Sequence, residues 1–268
     1  MAFGETDTIP GLAAPGNPLS PTGQGVFVPQ IHPLMIAVNN CPAVSKKRVL
    51  ILSYSFSGQT SCLLRQLQTA LAQEGHLVVK ERITPCEPLK FPTESFASCL
   101  KMMITTFLRL RVPIQPLPPT CREPYDLVIL GGPTWSYNPS GPILSLLDRD
   151  GQTLFRNQTV LPVISCRGYW RLHHYGLSRM LRRCGATVPN VIIFSHPSPE
   201  PWRTIGVFLK IAGKSPERWP LLSRYYPHFG HSKGQQEEAA HFGTLIGQAL
   251  SQGRPLSDLD FTTAMALP

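Results

Sequence analysis

Residues 48–60 have the sequence RVLILSYSFSGQT, in which a short apolar run is followed by a small polar loop. The run Val49-Leu50-Ile51-Leu52 contains no polar residue, as is typical of a parallel strand that is buried on both faces. Residues 60–74 then carry leucines at helical spacing, and Gly75 is placed to end a helix. The sequence therefore predicts a strand, a tight turn and a helix in direct succession.

The tight turn has three hydroxyl side chains, Ser55, Ser57 and Thr60, around Gly58. At the start of a helix the backbone N–H groups are free and the helix dipole adds partial positive charge, so such a turn can bind a phosphate without Lys or Arg. The turn is not a nucleotide-hydrolysing P-loop, which ends in Gly-Lys-Ser/Thr, and it is not a G-x-G-x-x-G turn. The alternative is that Ser57 or Thr60 only caps the helix.

Further along the chain, apolar runs alternate with segments of helical period. The pattern predicts strands at 48–53, 76–83, 125–130, 159–165 and 188–195, and helices at 60–74, 94–110, 142–147, 172–184 and 237–250. The apolar face of the second helix is Phe96, Leu100, Met103, Phe107 and Leu110. This alternation predicts an α/β fold, a doubly wound five-stranded parallel sheet with helices on both faces. In such sheets ligands bind outside the carboxyl ends of the strands.

The ends of the chain and one internal segment depart from this alternation. Residues 1–45 are rich in Pro and Gly and hold no Lys or Arg, so we expect a disordered or extended leader before a domain at 46–252. Residues 197–232 are predicted to be an insertion. It is expected to act as a lid, an oligomer contact, a membrane-surface contact through 202–214 or a small subdomain on the sheet edge. Residues 253–268 are predicted to be a loose tail.

The charge of the chain is uneven. The 268 residues carry a formal net charge of +9, and residues 46–252 hold 24 of the 25 basic and 12 of the 16 acidic residues. This excess favours an anionic partner such as a phosphorylated cofactor, an acidic protein or a lipid surface, and nucleic acid is not an expected partner. The seven cysteines are scattered without a C-x-x-C, which argues against a disulfide framework or a metal site and indicates a cytoplasmic protein. No segment has the length of a membrane span or the features of a secretory signal.

Two loops resemble those of a known family. The pattern Leu-Ser-Tyr-Ser-x-Ser-Gly-x-Thr at 52–60 resembles the FMN-phosphate loop of the flavodoxin-like superfamily, and Pro133-Thr134-Trp135 resembles its second flavin loop. The resemblance implies the strand order 2-1-3-4-5 with FMN at the first/third strand switch point. It also implies that the ring lies between residues 133–138 and 166–170. The phosphate would be held by Ser55, Ser57, Gly58, Gln59 and Thr60.

Three further segments, 126–131, 139–143 and 165–170, are similar to a flavodoxin-like subgroup whose members carry the label dialkylresorcinol-condensing enzyme. The fold itself gives no chemical reason to expect a condensation. The label therefore indicates a similar subgroup and does not define a reaction.

The residues expected around the ring are aromatic or basic. Trp135 or Tyr137 would stack on the flavin, with Tyr169 and Trp170 as second choices, because flat aromatic rings and flavins share large apolar faces. The alternative for Trp135 is packing on its own domain. The third loop, Cys166-Arg167-Gly168-Tyr169-Trp170, departs from typical flavodoxins, which have small and acidic residues there. A fixed positive charge at Arg167 would favour the reduced, anionic flavin and hence a reductase over a simple electron shuttle.

Cys166 permits a different chemistry. Beside Arg167 and upstream of His173 and His174, it is a candidate nucleophile with a lowered pKa and one of the histidines as its base. The alternative is an inert thiol at the end of a buried strand.

Three functions are thus open. The first is an FMN-binding oxidoreductase that takes electrons from a reduced nicotinamide or an acidic or flavin-containing partner and passes them to a quinone, an aromatic or a protein acceptor. The second is a flavin-free interaction protein on the same fold, and the third is a thiol enzyme of aromatic lipid or polyketide metabolism. A homo-oligomer is compatible with all three.

Overall fold

The computed structural model describes residues 46–93 and 96–267, and only the backbone of Phe96. The predicted leader at 1–45 lies outside these residues. The strands within them are β1 Arg48–Ser53, β2 Leu77–Arg82, β3 Leu127–Trp135, β4 Asn138–Pro139, β5 Val160–Cys166 and β6 Ile192–Ser195. The helices are α1 Gln59–Gln73, α2 Phe96–Phe107, α3 Gly141–Arg149, α4 Gly151–Phe155, α5 Arg171–Arg183, α6 Trp202–Ile211 and α7 Lys233–Gln252.

The sheet has the order β2-β1-β3-β5-β6, and all four of these pairings are parallel. The short β4 pairs only with β3, in antiparallel orientation. Counted over the parallel strands alone, the order is 2-1-3-4-5, which confirms the predicted flavodoxin-like fold. The switch point of this order lies between β1 and β3, because the chain places β2 on one side of β1 and β3 on the other.

The central strand β1 is buried on both faces, as its unbroken apolar run predicts. Val49 and Ile51 belong to the core beneath α1 and α7, whereas Leu50 and Leu52 belong to the core on the opposite face. The burial of each aliphatic side chain of this size contributes about 1.5–3 kcal/mol to the stability of the folded protein. This strand therefore anchors both layers and fixes where the loop after Ser53 leaves the sheet.

Helix α2 differs from its prediction. It is shorter than 94–110, and the apolar face expected to pack inward is largely open: Leu100 is 48% exposed and Phe107 is 65% exposed. Cys99 is buried instead. The periodicity correctly gave an amphipathic helix, but periodicity does not say whether a neighbour covers the apolar face.

The last residues are docked, so the prediction of a loose tail was wrong. Phe261 and Ala266 are buried in the same core as α7, and the ring of Phe261 lies 5.1 Å from that of Phe242. The backbone N–H of Ser195, at the end of β6, donates to the carbonyl of Ala266 at 2.9 Å. The tail thus covers apolar surface that the sheet and α7 would otherwise expose.

Candidate functional site: a cleft at the carboxyl edge of the sheet

The loop between β1 and α1 leaves the sheet at the switch point. The backbone N–H of Tyr54 donates to the carbonyl of Gly131 at 3.0 Å and holds the start of the loop against β3. Helix α1 begins after Gly58, which has a φ of 84°, and no side chain caps it. The alternative in which Ser57 or Thr60 only caps the helix is therefore not observed. The N–H groups of the first turn face the loop without a side-chain acceptor from it.

Ser55 is the unusual residue of this loop. It is 5% exposed, and its Oγ is buried without a hydrogen-bond partner among the described residues. An unpartnered buried hydroxyl costs about 1–3 kcal/mol, so such groups call for a ligand or a water. Ser55, Ser57 and Thr60 line part of a cleft, and we call this part the serine end.

The second predicted loop is a β-hairpin. Strand β3 continues past the predicted end at residue 130 to Trp135, and it pairs with β4 around Ser136 and Tyr137. Both turn residues have positive φ, 41° and 68°, as in the turn type that favours tight hairpins. The Oγ of Ser136 lies 2.7 Å from Oγ1 of Thr106, which fixes the hairpin on α2.

Trp135 combines both roles that the sequence left open. Its ring packs edge-on against Tyr54 at 5.6 Å and Phe56 at 5.5 Å, so the indole is held by its own domain. Trp135 is nevertheless only partly buried and lines the cleft. Tyr137 does not line this cleft. It contacts Tyr169 at 5.5 Å in an adjacent apolar groove formed with α2.

The third loop places a positive charge beside the cleft. The guanidinium of Arg167 lies 4.6 Å from the centre of the Phe208 ring. Burial lowers the pKa of Arg167, while the carboxylate of Glu200 opposes this shift. Gly168 has a φ of 128° and packs against the guanidinium of Arg203, so it supports the loop and does not itself line the cleft.

The thiol chemistry is disfavoured by the surroundings of Cys166. Burial raises the pKa of its thiol to about 11, although the nearby Arg203 and Arg167 charges act in the opposite direction. A nucleophilic cysteine needs a pKa that is lowered from the ordinary value, because the thiolate is the reactive form. His173 is buried, which lowers its pKa to about 3, and its Nδ1 lies 2.7 Å from Oγ1 of Thr134. Its hydrogen bond is therefore made to the hairpin and not to Cys166.

A second set of polar side chains, which the sequence analysis missed, lies at the ends of β5 and β6. Ser165 and His196 line the cleft, and His231, just before α7, lies 2.7 Å from Ser165 through its Nε2. We call Ser165, His196 and His231 the histidine end. Ser165 and His196 follow the rule that ligands bind at the carboxyl ends of strands, and this rule is the signal that could have identified them.

The insertion contributes to the wall of the cleft. Helix α6 contributes Val207, Phe208 and Ile211 to the lining. The carbonyl of Ile211 accepts hydrogen bonds from the backbone N–H of Thr93 at 2.7 Å and from its hydroxyl at 2.9 Å, which ties α6 to the connection between β2 and α2. Helix α6 is thus part of the cleft wall, and the role of residues 197–232 as a lid or a small subdomain stays a prediction. Membrane and oligomer contacts stay predictions.

The complete cleft has about 850 Å³ of empty space, including its open mouth. The predicted residues that line it are Ser55, Ser57, Gln59, Thr60, Pro133, Thr134, Trp135, Cys166 and Arg167. The lining residues that were not predicted are mostly apolar: Phe56, Phe91, Met102, Met103, Thr106, Ser136, Ser165, His196, Val207, Phe208, Ile211 and Phe229.

Two further properties concern the part of the chain that the structure describes. Every helix there is too short or too polar to cross a lipid bilayer. Among the same residues, no group of three or more His, Cys, Asp and Glu side chains is placed to hold a metal ion.

The chain is similar to several solved structures. A flavoprotein from Lactobacillus acidophilus NCFM, crystallised in complex with FMN, is 20% identical over 54% of this chain and 91% of that chain, with a TM-score of 0.42. A flavodoxin from the domain Archaea is 11% identical over 76% and 98%, with a TM-score of 0.44. A WrbA-like flavodoxin from Agrobacterium tumefaciens is 11% identical over 77% and 99%, with a TM-score of 0.36.

No protein-family model matches the chain, and no curated relative matches it. None of the three structures carries the dialkylresorcinol label. The fold assignment therefore rests on the strand order of the sheet.

Proposed function

We propose that this chain is an FMN-binding oxidoreductase of the flavodoxin-like fold. The observation that carries the proposal is the serine end: the buried hydroxyl of Ser55 without a partner, beside the start of α1, which has no side-chain cap. A phosphate ester offers the acceptors that these donors lack. The match to a flavoprotein crystallised with FMN is consistent with this cofactor.

The residues present fit the rest of such a cofactor. Trp135 and Phe56 give the cleft flat apolar walls, and Arg167 gives it a positive charge. Bound FMN would supply the hydride and electron transfer, which no protein acid or base is needed to perform. Arg167 would stabilise negative charge gained on reduction, because burial of the guanidinium strengthens its field. This charge favours a reductase over a simple shuttle.

The electron donor that we propose is a reduced nicotinamide or a partner flavoprotein, and the acceptor is a quinone, an aromatic or a protein. Two electrons leave the donor and the same two reduce the acceptor. The basic surface of residues 46–252 favours an acidic partner. The dialkylresorcinol label stays a prediction, since nothing at this site speaks for a condensation.

The test is the substitution Ser55→Ala. If Ser55 donates to a phosphate, the variant should bind FMN about 10- to 100-fold more weakly, measured by quenching of FMN fluorescence. Riboflavin lacks the phosphate, so wild type and variant should bind it equally. The free variant should be as stable as wild type or about 1 kcal/mol more stable in urea unfolding, because an unpartnered hydroxyl has been removed.

Ser178→Ala is the matched control. Ser178 is a buried serine on α5 whose Oγ also lacks a partner, and it lies outside the cleft. Its substitution should have the same effect on stability and none on FMN binding. Equal affinities for all three proteins would contradict the phosphate site. A wild-type protein that does not quench FMN would favour the flavin-free alternative.

A further inference from the structure

At the histidine end, one hydrogen-bonded chain fixes the proton positions around Ser165. The amide of Gln235 is oriented by two bonds: its Nε2 donates to the carbonyl of Ser195 at 2.7 Å, and its Oε1 accepts from the backbone N–H of Ser232 at 3.1 Å. Oε1 therefore also faces Nδ1 of His231, at 3.1 Å. Two acceptors cannot pair, so Nδ1 of His231 carries the proton.

This tautomer determines what Ser165 offers to the cleft. Burial lowers the pKa of His231 to about 4, so the neutral ring presents a lone pair at Nε2. The hydroxyl of Ser165, 2.7 Å away, donates its hydrogen there. Only the lone pairs of Ser165 Oγ remain, and Ser165 is thus an acceptor toward the cleft.

His196 is fixed in the complementary state. Its Nδ1 accepts from the backbone N–H of Ser198 at 3.2 Å, and burial lowers its pKa to about 3. The neutral ring therefore carries its proton on Nε2, and this buried N–H has no partner among the described residues. The ring of Tyr226 stacks on His196 at 5.0 Å with an interplanar angle of 9° and holds its plane.

The two side chains come from adjacent strands. Strands β5 and β6 pair in register with Cys166 opposite Ser195, and the backbone N–H of His196 donates to the carbonyl of Cys166 at 2.9 Å. Both Ser165 and His196 line the cleft. Two lining residues on adjacent strands are therefore a fixed acceptor, Ser165, and a fixed donor without a partner among the described residues, His196, and both are uncharged.

We propose that Ser165 and His196 recognise an amide-type edge of the bound ligand, in which an N–H donates to Ser165 and a neighbouring carbonyl accepts from His196. The inference rests on the proposed function, because in FMN such an edge is the pyrimidine part of the ring. There the single N–H of the oxidised ring lies between two carbonyls. A ligand with acceptors alone, such as a quinone, would leave Ser165 unmatched.

The experiment combines a change in the ligand with a change in the protein. FMN and N3-methyl-FMN, in which the N–H is blocked, are titrated into wild type, Ser165→Ala and His196→Phe, and binding is followed by flavin fluorescence. Wild type should bind N3-methyl-FMN at least tenfold more weakly than FMN. Ser165→Ala should bind FMN about fivefold more weakly, as for one neutral hydrogen bond, and should bind the two ligands within about twofold of each other.

His196→Phe should weaken the binding of FMN by a similar factor. This variant should still bind N3-methyl-FMN more weakly than FMN, because Ser165 is intact. His76→Phe is its control: His76 is a buried histidine whose Nε2 lies 2.8 Å from the carbonyl of Gly247, outside the cleft, so both affinities should be unchanged. If His196→Phe fails to fold, the Ser165 comparison decides alone.

Equal binding of the two ligands to wild type, or an undiminished preference for FMN in Ser165→Ala, would overturn the inference and leave the serine end untouched. In that case the donor and acceptor hold only water. Absence of FMN binding to wild type would refute the proposed function and this inference with it.

Discussion

At the serine end of the cleft, Ser55, Ser57 and Thr60 lie in one loop and the first turn of the helix that follows it, whereas Ser165, His196 and His231 at the histidine end come from three separate parts of the chain. The serine end needs only a strand, a turn and a helix in succession, and its donors are hydroxyls and backbone N–H groups. The histidine end needs partners that fix proton positions, such as Gln235 for His231. We therefore expect the serine end to tolerate substitutions in other parts of the chain, whereas the hydrogen bonds of the histidine end depend on packing and on pH.

The largest expected effect is acid destabilisation, which comes from buried histidines at the histidine end and behind the hairpin and not from the serine end. His173, which holds the hairpin, and His196 both have a pKa lowered from 6.5 to about 3 by burial. Below pH 6.5 the unfolded chain takes up these protons and the folded chain does not, so this stability is present above pH 6.5 and is lost as the pH falls. At pH 5 the loss is about 2 kcal/mol for each histidine, or about 4 kcal/mol for the pair.

Urea unfolding at pH 7.5 and pH 5 measures this loss. In His173→Gln the difference between the two pH values should shrink by about 2 kcal/mol, whatever the variant's stability at pH 7.5. The loop between β1 and α1 has no Asp, Glu or His, so Ser57→Ala is a suitable control and should keep the wild-type difference. An unchanged pH dependence in His173→Gln would show that His173 is not held neutral.

The next effect concerns the packing that holds His196. A Cβ added at Gly206, on α6, would lie 2.4 Å from the ring of Tyr226, the residue stacked on His196. Gly206→Ala should therefore destabilise the protein by about 3 kcal/mol through overpacking, measured by urea unfolding. Gly176→Ala on α5 meets nothing within 4 Å and should be neutral or slightly stabilising, since alanine favours a helix. Equal stabilities of the two variants would contradict this packing.

The smallest effects compare Gly168, in the loop after β5, with Gly58, in the loop after β1. Gly168 has a φ of 128°, and a Cβ there would lie 2.8 Å from the guanidinium of Arg203, so Gly168→Ala should cost about 2 kcal/mol. Gly58 has a φ of 84° with nothing within 4 Å, so Gly58→Ala should cost only the backbone strain of about 1 kcal/mol. Thermal unfolding of both variants measures whether the loss of stability is larger in Gly168→Ala than in Gly58→Ala. A larger loss at Gly58 would mean that the serine loop is constrained by contacts that its geometry does not suggest.

The mistakes in the sequence predictions share a cause. Residues 253–268 were predicted to be a loose tail, yet Phe261 within them packs on Phe242. The β3–β4 hairpin was missed because Ser136 and Tyr137, and not glycine or asparagine, occupy its positive-φ turn. In both cases a contact with another element overrides the weak local preference.

The sequence alone determined the parallel sheet and the serine-rich turn between β1 and α1, whereas the strand order came from the resemblance to the flavodoxin-like family. An apolar run such as Val49-Leu50-Ile51-Leu52 indicates by itself a strand that is buried on both faces. A hydroxyl-rich turn before a helix indicates by itself a site that can bind a phosphate. Only the tertiary structure decided that Ser55 Oγ lacks a partner among the described residues, that α6 lines the cleft, and which hydrogen bonds Ser165 and His196 make. The reason is that proton positions and burial depend on atoms contributed by distant parts of the chain, and no local pattern encodes them.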